Sequence, residues 1–297
     1  MSELIRLCAP AKINLSLRVR GKLDNGYHAL ESLVAFAAFG DTLSVQKSDE
    51  TLFTSNMSAP IKADMGHEGN LVVAAHTALE QALGRSLPTQ MHLEKALPIA
   101  AGLGGGSSDA AACLRGLMRL HQLSPSGLDL PALALSLGAD VPVCLRANPA
   151  WMTGIGETIT QLHDFPACDI VLVNPRLALS TRKVFETLQA GALKPALDRP
   201  PNLLSYAALI DFVQTQQNDL QAPAIACLPQ ISDCLAALSR AAVDFVAMSG
   251  SGATCFALCE AGGGAAVADA YRRDRPDDWV VAAPLVSAGN AEIDQLF

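Results

Sequence analysis

Near the start of the chain Ile13, Leu15, Leu17 and Val19 alternate with polar or small residues, the period-two pattern of a strand with one buried face. Asp41 to Gln46 alternates again after a turn at Gly40-Asp41, so the first third of the chain is expected to form a sheet. Between these stretches, Arg20-Gly21-Lys22-Leu23-Asp24-Asn25-Gly26 has the composition of a loop and ends in the aromatic pair Tyr27-His28. The period then lengthens. Asn70 to Leu83 is Ala-rich with helical spacing, Thr89 to Leu93 is strand-like, and Ser107 to His121 predicts a helix. In that helix Ala110, Cys113, Leu114 and Leu117 fall at i, i+3, i+4 and i+7.

Beyond Trp151 a second set of elements begins. Asp169 to Val173 predicts a strand and Ser180 to Leu188 a capped helix. Leu203 to Leu238 predicts two or three helices broken by Pro223 and Pro229. Asp244–Met248 and Thr254–Cys259 read as paired strands, Gly264 to Arg272 as a helix, and Trp279 to Val286 as a final strand. This order suggests an α+β sandwich. Two packed domains are expected, 1–160 and 161–297, because a chain of 297 residues that is half hydrophobic exceeds what one core usually serves.

Composition narrows the function classes. Mean hydropathy is mildly positive, yet no apolar run reaches the roughly 18 to 20 residues that cross a bilayer, Leu33 to Phe39 being among the longest. The first residues show no secretory pattern, and a cytoplasmic location is expected. The net charge of −8, with 21 Lys and Arg in no dense patch, speaks against nucleic acid as a partner. An anionic small ligand would need a local positive field, such as a helix N-terminus with one or two placed lysines. Eight scattered cysteines include no C-x-x-C pair, and Cys255 with Cys259 lacks a matching second pair, so no structural metal site is expected.

Such a field is legible in Glu94 to Ala112. A strand runs into Pro98-Ile99-Ala100-Ala101-Gly102-Leu103-Gly104-Gly105-Gly106, then into a helix that opens with Ser107, Ser108 and Asp109. Glycine permits positive φ and close approach of a ligand, while a helix start offers unpaired N–H groups and partial positive charge. Together they make an anion cradle. The loop is not a Walker A loop, because no lysine follows Gly106, and it is not a dinucleotide fingerprint, because Ser107 stands where the third glycine belongs. The bland alternative is a tight turn with Ser107 or Ser108 as N-cap. The preceding strand, the following helix and the Pro98 start favour the cradle.

These residues resemble the ATP loop of the GHMP kinases, a family of small-molecule kinases. Pro10-Ala11-Lys12-Ile13-Asn14-Leu15, Gly26-Tyr27-His28, Gly138-Ala139-Asp140-Val141-Pro142 and Ser249-Gly250-Ser251-Gly252-Ala253 extend the likeness. Asn174-Pro175, Ser180-Thr181, Phe185 and Asn218-Asp219-Leu220 are also in register. The combination is most similar to the branch whose substrate is a cytidine diphosphate methylerythritol. The resemblance implies a two-domain fold, N-terminal ribosomal protein S5 domain 2-like and C-terminal ferredoxin-like. It implies phosphoryl transfer from ATP, with Mg2+, to an alcohol, specifically the 2-hydroxyl of that substrate.

By the same resemblance Asp140 is the base that accepts the hydroxyl proton, and Lys12 its electrostatic partner. Without the likeness, Asp140 could equally close a turn, and Lys12 could be a strand lysine reaching to water. Pro98 to Ser108 would hold the triphosphate. Asn14, Tyr27, His28, Thr181 and Phe185 resemble the pocket for the cytidine diphosphate alcohol, with Tyr27 and Phe185 able to sandwich the base; their alternative role is core packing. Ser249 to Ala253 resembles the family's third motif near the acceptor phosphates, or serves as a plain turn. The chain departs from the family before Gly-Tyr-His, where Leu23 and Asn25 stand near the usual Arg and Asp. No acidic magnesium ligand is identified by spacing, and Mg2+ is expected on phosphates and water. The alternatives are another GHMP small-molecule kinase, for mevalonate or homoserine, and a non-catalytic nucleotide-binding regulator on the same fold.

Overall fold

The computed structural model describes residues 3–24, 26–62, 70–188, 193–196 and 203–286. Among these, strands and helices alternate in four layers. The first sheet has eight strands: β1 (Leu4–Asn14), β2 (Arg18–Lys22), β3 (His28–Lys47), β4 (Leu52–Ser55), β5 (Ser58–Lys62), β6 (Thr89–Glu94), β7 (Ala150–Gly154) and β8 (Thr158–Gln161). Its spine is β3, 20 residues long. The first part of β3 pairs with β2 and β7, and the later part with β1 and β6, all antiparallel.

Four helices cover one face of this sheet: α1 (Leu71–Leu83), α2 (Gly105–Leu120), α3 (Leu130–Leu137) and α4 (Val141–Arg146). The second sheet has four strands in the order β10 (Phe245–Met248), β11 (Cys255–Glu260), β9 (Cys168–Asn174), β12 (Trp279–Pro284). Around it lie α5 (Thr181–Thr187), α6 (Tyr206–Thr215), α7 (Gln221–Cys227), α8 (Gln230–Leu238) and α9 (Gly264–Asp274).

Period-two alternation explains the layering. Along β3, Val34 and Phe36 pack under α1, α2 and α4, while Leu33, Ala35 and Ala37 face the second sheet. Along β9, Ile170 and Leu172 meet that same central core, whereas Val171 and Val173 turn toward α7, α8 and α9. A strand buried on both sides reads as a continuous apolar run, as Leu33 to Phe39 does. The α+β architecture expected from the sequence is the one observed.

The two sheets are stitched where β1 and β3 lose register, between Pro10 and Lys12. There Ala37 bridges to Leu285, and the Val286 amide donates to the Phe36 carbonyl at 2.7 Å. Gly40 sits beside the same irregularity, and a side chain on it would run into the backbone of Ala9 and Pro10.

Several local expectations change. The alternation from Ile13 to Val19 spans two strands, because the chain leaves β1 after Asn14 and re-enters the sheet at Arg18. Arg20 to Lys22, read as loop, belong to β2, since Gly21 and Lys22 pair with Ala29 and His28. Asn25 lies outside the described residues. Pro223 breaks nothing: it occupies the third position of α7, where its missing N–H is not required. The helix behind the glycine loop starts at Gly105, two residues before Ser107, because Gly104 takes the left-handed conformation and acts as N-cap with φ 59°. Neither serine caps it.

Candidate active site

The loop between β6 and α2 is shaped by contact with the second glycine turn. Gly102 has φ 74°, and a Cβ there would stand 2.5 Å from the Ser249 carbonyl oxygen and 2.8 Å from that of Gly252. Only glycine fits such an approach. The Ser249 hydroxyl donates to the Gly102 carbonyl at 2.9 Å, and the Thr254 amide donates to the Ala101 carbonyl at 3.1 Å. On the other side the Lys12 amide donates to the Leu103 carbonyl at 2.9 Å. A Cβ on Gly104 would lie 3.0 Å from that of Lys12. The first intrahelical bond of α2 is Ser108 N–H to Gly104 C=O at 2.9 Å. The amides of Gly105, Gly106 and Ser107 precede it and have no intrahelical acceptor.

Lys12 comes up from β1 beside this cradle. Its Nζ donates to Asp140 Oδ2 at 2.8 Å, with the lysine side chain 6% and the aspartate side chain 38% exposed. Asp140 is the N-cap residue of α4, yet its side chain makes no capping hydrogen bond. The carboxylate is therefore committed to Lys12 and to the cavity, which answers the turn-closing alternative. It also answers the lysine alternative, because Lys12 is buried and does not reach to water.

A cavity of about 670 Å³ brings together Lys12, Asn14, Asp140, Thr181, Phe185 and the loop from Pro98 to Ser107. Ser108 stands apart: fully buried, it donates its hydroxyl to the Pro10 carbonyl at 2.7 Å, fastening α2 to β1. Asn14 is fixed from both sides, its Nδ2 donating to Ser32 Oγ at 2.8 Å and its amide to Ser249 Oγ at 3.2 Å. Thr181 Oγ1 and Ser251 Oγ share a hydrogen bond of 2.7 Å across the mouth.

The ring stacked on Phe185 is that of His28, with centroids 5.0 Å apart and planes at 30°. Tyr27 is 62% exposed and immediately precedes β3. The stack of His28 on Phe185 had no signal in the sequence, because it forms only when segments far apart in the chain pack together. Burial, and then the charge of Lys22, lower the His28 pKa below its ordinary value, so the ring is neutral near pH 7.

Three charged residues at the flank of the loop received no role from the sequence. Lys95 Nζ bonds both Asp41 and Asp109, at 2.7 Å to the latter, and Asp41 Oδ1 accepts from the amides of Ala96 and Leu97 at 2.6 and 2.8 Å. Burial raises the Asp109 pKa to about 7 against the pull of Lys95, and the nearby Asp41 charge adds to the rise. For Lys95, burial alone would lower the pKa, but the two carboxylates outweigh it and the net shift is upward. A charge pair at a strand end, Glu94-Lys95, was the available signal. Asp41 was hidden inside β3, where a turn was expected.

The residues fit an ATP-like ligand. Amides without intrahelical acceptors line the cradle, and Gly102 and Gly104 let the loop pack against the Ser249–Ala253 turn and Lys12. Among the described residues no group of three or more His, Cys, Asp or Glu could hold a metal ion by itself. Asp109 Oδ1, buried in the pocket wall without a hydrogen-bond partner, is the oxygen with lone pairs to offer. Among the described residues no helix is long and apolar enough to cross a membrane.

Comparison with known proteins agrees with this geometry. The sequence profile of the GHMP kinases N terminal domain matches residues 70–148, and that of the GHMP kinases C terminal matches 203–277. The chain is 44% identical over 288 residues to a 4-diphosphocytidyl-2-C-methyl-D-erythritol kinase of Mesorhizobium japonicum, covering 96% of each chain. It is 46% identical over 259 residues to one of Rhizobium meliloti, covering 86% of each. A crystal structure of 4-(cytidine 5'-diphospho)-2C-methyl-D-erythritol kinase superposes with TM-score 0.76 at 30% identity, over 95% of this chain and 99% of the other. Homoserine kinase from Cytophaga hutchinsonii shares the fold at 17% identity and TM-score 0.70, over 97% of this chain and 96% of that one.

Proposed function

The chain belongs to the GHMP kinases, and within them to the 4-diphosphocytidyl-2-C-methyl-D-erythritol kinases; from that premise we propose how its residues share the reaction. The reaction is transfer of the ATP γ-phosphoryl group to the 2-hydroxyl of 4-diphosphocytidyl-2-C-methyl-D-erythritol, in the non-mevalonate route to isoprenoids. The observation that carries the assignment is the Lys12–Asp140 pair, set at the side of the glycine cradle and inside the same cavity.

Phosphoryl transfer leaves the protein mainly positioning and charge stabilisation to perform. The loop from Pro98 to Ser107 presents amides to the triphosphate, and Gly102 and Gly104 hold it against the second glycine turn and Lys12. Asp140, with one oxygen bonded to Lys12, takes the hydroxyl proton on its other oxygen. The Lys12 ammonium holds that carboxylate in place through its hydrogen bond and offsets charge on the transferring group. Asn14 and Thr181 orient the alcohol, and Phe185 with the neutral ring of His28 forms the apolar wall for the cytosine. Mg2+ would accompany ATP and would offset charge on its phosphates during transfer. Asp109 Oδ1 is the protein group suited to touch the shell of that ion.

We place the division between the two domains near residue 160 and the working location in the cytoplasm, with a small-molecule substrate as the partner. A coupled assay of ADP release on the cytidyl substrate, run beside mevalonate and homoserine, tests the reading. Turnover on the cytidyl substrate at least about a hundredfold above the others is expected. Comparable turnover on another alcohol, with none on the cytidyl substrate, refutes it.

A further inference from the structure

Arg115 lies on α2, ten residues past the start of that helix, and is 3% exposed. Its hydrogen bonds go to main-chain carbonyls: Nη1 to Cys144 at 2.8 Å and Leu145 at 3.2 Å, and Nη2 to Cys8 at 3.0 Å. A guanidinium this deeply buried loses its hydration, and burial lowers its pKa to about 10, which leaves it charged near neutrality. Nothing in the sequence pattern singles it out.

The three carbonyls belong to the elements that carry the reacting pair. Cys144 and Leu145 are in the last turn of α4, a helix of six residues whose N-cap is Asp140. A cation at a helix C-terminus satisfies orphan carbonyls and meets the negative end of the dipole. Because α4 is so short, whatever fixes one end fixes the other, about 9 Å away at 1.5 Å per residue. Cys8 is on β1, four residues before Lys12. On α2 itself, Ser108 and Arg115 are two turns apart on one face, and both grip β1, Ser108 at Pro10 and Arg115 at Cys8. The same helix starts at the phosphate cradle.

We propose that Arg115 is a positioning residue of the phosphoryl transfer: from the helix that holds the phosphates, its fork clamps α4 and β1 and so sets Asp140 against Lys12 and both against the cradle. This rests on the assignment of Lys12 and Asp140 above. ATP binding does not depend on the clamp, since the cradle is fastened separately through Lys12 N–H, Ser249 Oγ and Ser108 Oγ.

The test compares Arg115→Lys, Arg115→Met and Asp140→Asn with the unaltered protein, measuring kcat, both KM values and the affinity for a non-hydrolysable ATP analogue. Arg115→Met is expected to lower kcat on the order of 10- to 100-fold, the usual effect of about 1 Å of misplacement, while KM for ATP and analogue affinity move less than about threefold. Arg115→Lys keeps the charge without the fork and is expected between the two, a graded rescue that loss of folded protein would not produce. A kcat within about twofold of the original in Arg115→Met, or a loss confined to ATP affinity, overturns the proposal. Where Arg115→Met does not fold, Arg115→Lys decides by the same criteria. Near-normal turnover of Asp140→Asn instead overturns the assignment of the reacting pair.

Discussion

Lys12 and Asp140 are 128 residues apart in sequence and 2.8 Å apart at the ammonium and carboxylate. The lysine is nearly enclosed and the aspartate open to the cavity on one side. In the proposed reaction that asymmetry would keep Lys12 fixed while Asp140 meets the hydroxyl. It also makes the two a unit: removing either leaves the other, a buried lysine or a half-buried aspartate, without its complement.

Asp140→Asn is therefore expected to lower kcat at least about a hundredfold, with the ATP-analogue affinity within a few-fold of the original. Lys12→Met is expected to act similarly, and the double variant to cost about as much as the worse single change, because both remove one device. Steady-state kinetics with direct binding measurements check this. Strictly additive losses would mean that the two residues work separately.

Gly102→Ala is expected to weaken ATP binding and lower the melting temperature together. The new methyl would stand 2.5 Å from a carbonyl oxygen at φ 74°, so the loop and the Ser249–Ala253 turn must separate. Gly26→Ala is the control. Gly26 also has positive φ, 86°, but nothing lies within 4 Å of the added carbon, leaving only backbone strain of about 1 kcal/mol. Thermal melts and nucleotide titration separate clash from strain.

Phe185→Ala is expected to raise KM for the cytidyl substrate about 5- to 150-fold, the range of 1 to 3 kcal/mol for base stacking, without changing KM for ATP. Tyr27→Ala, removing a ring that is 62% exposed, is expected to change that KM less than about threefold. Initial rates with each substrate varied distinguish them. A larger effect at Tyr27 than at Phe185 would restore the sandwich expected from the sequence.

The pH dependence of stability offers a fourth test. Burial raises the Asp109 pKa in the folded protein to about 7, well above the ordinary carboxylate range. A carboxyl raised on folding prefers to be protonated there, so its contribution is complete below about pH 4 and fades as pH climbs through about 7. Urea melts from pH 4 to 8 should show the original protein losing stability relative to Asp109→Asn as pH rises, by at most about 1.4 kcal/mol per pH unit. A constant difference between the two proteins across that range would contradict the shift.

The sequence revealed what depends on local pattern. The glycine cradle, the strands from Asp169 and Thr254 and the helix at Ala110 to Leu117 follow from turn chemistry and period, and the structure has them. What depends on partners far along the chain was not legible. The buried Asp41 looked like a turn residue because nothing local announces that Lys95 will meet it. The stacking of His28 on Phe185, and the grip of Arg115 on carbonyls of α4 and β1, likewise arise only when distant segments pack. Lys12 and Asp140 were identifiable through family likeness, not through spacing, since strand lysines and turn aspartates are common.

Where the glycine loop meets the Ser249–Ala253 turn, Gly102 stands directly against the carbonyls of Ser249 and Gly252, and the Ser249 hydroxyl fastens the Gly102 carbonyl. At that point of the seam there is no methylene to trim. Drift in the surrounding sequence can alter how the walls are lined, yet a single added methyl at Gly102 forces the two segments apart.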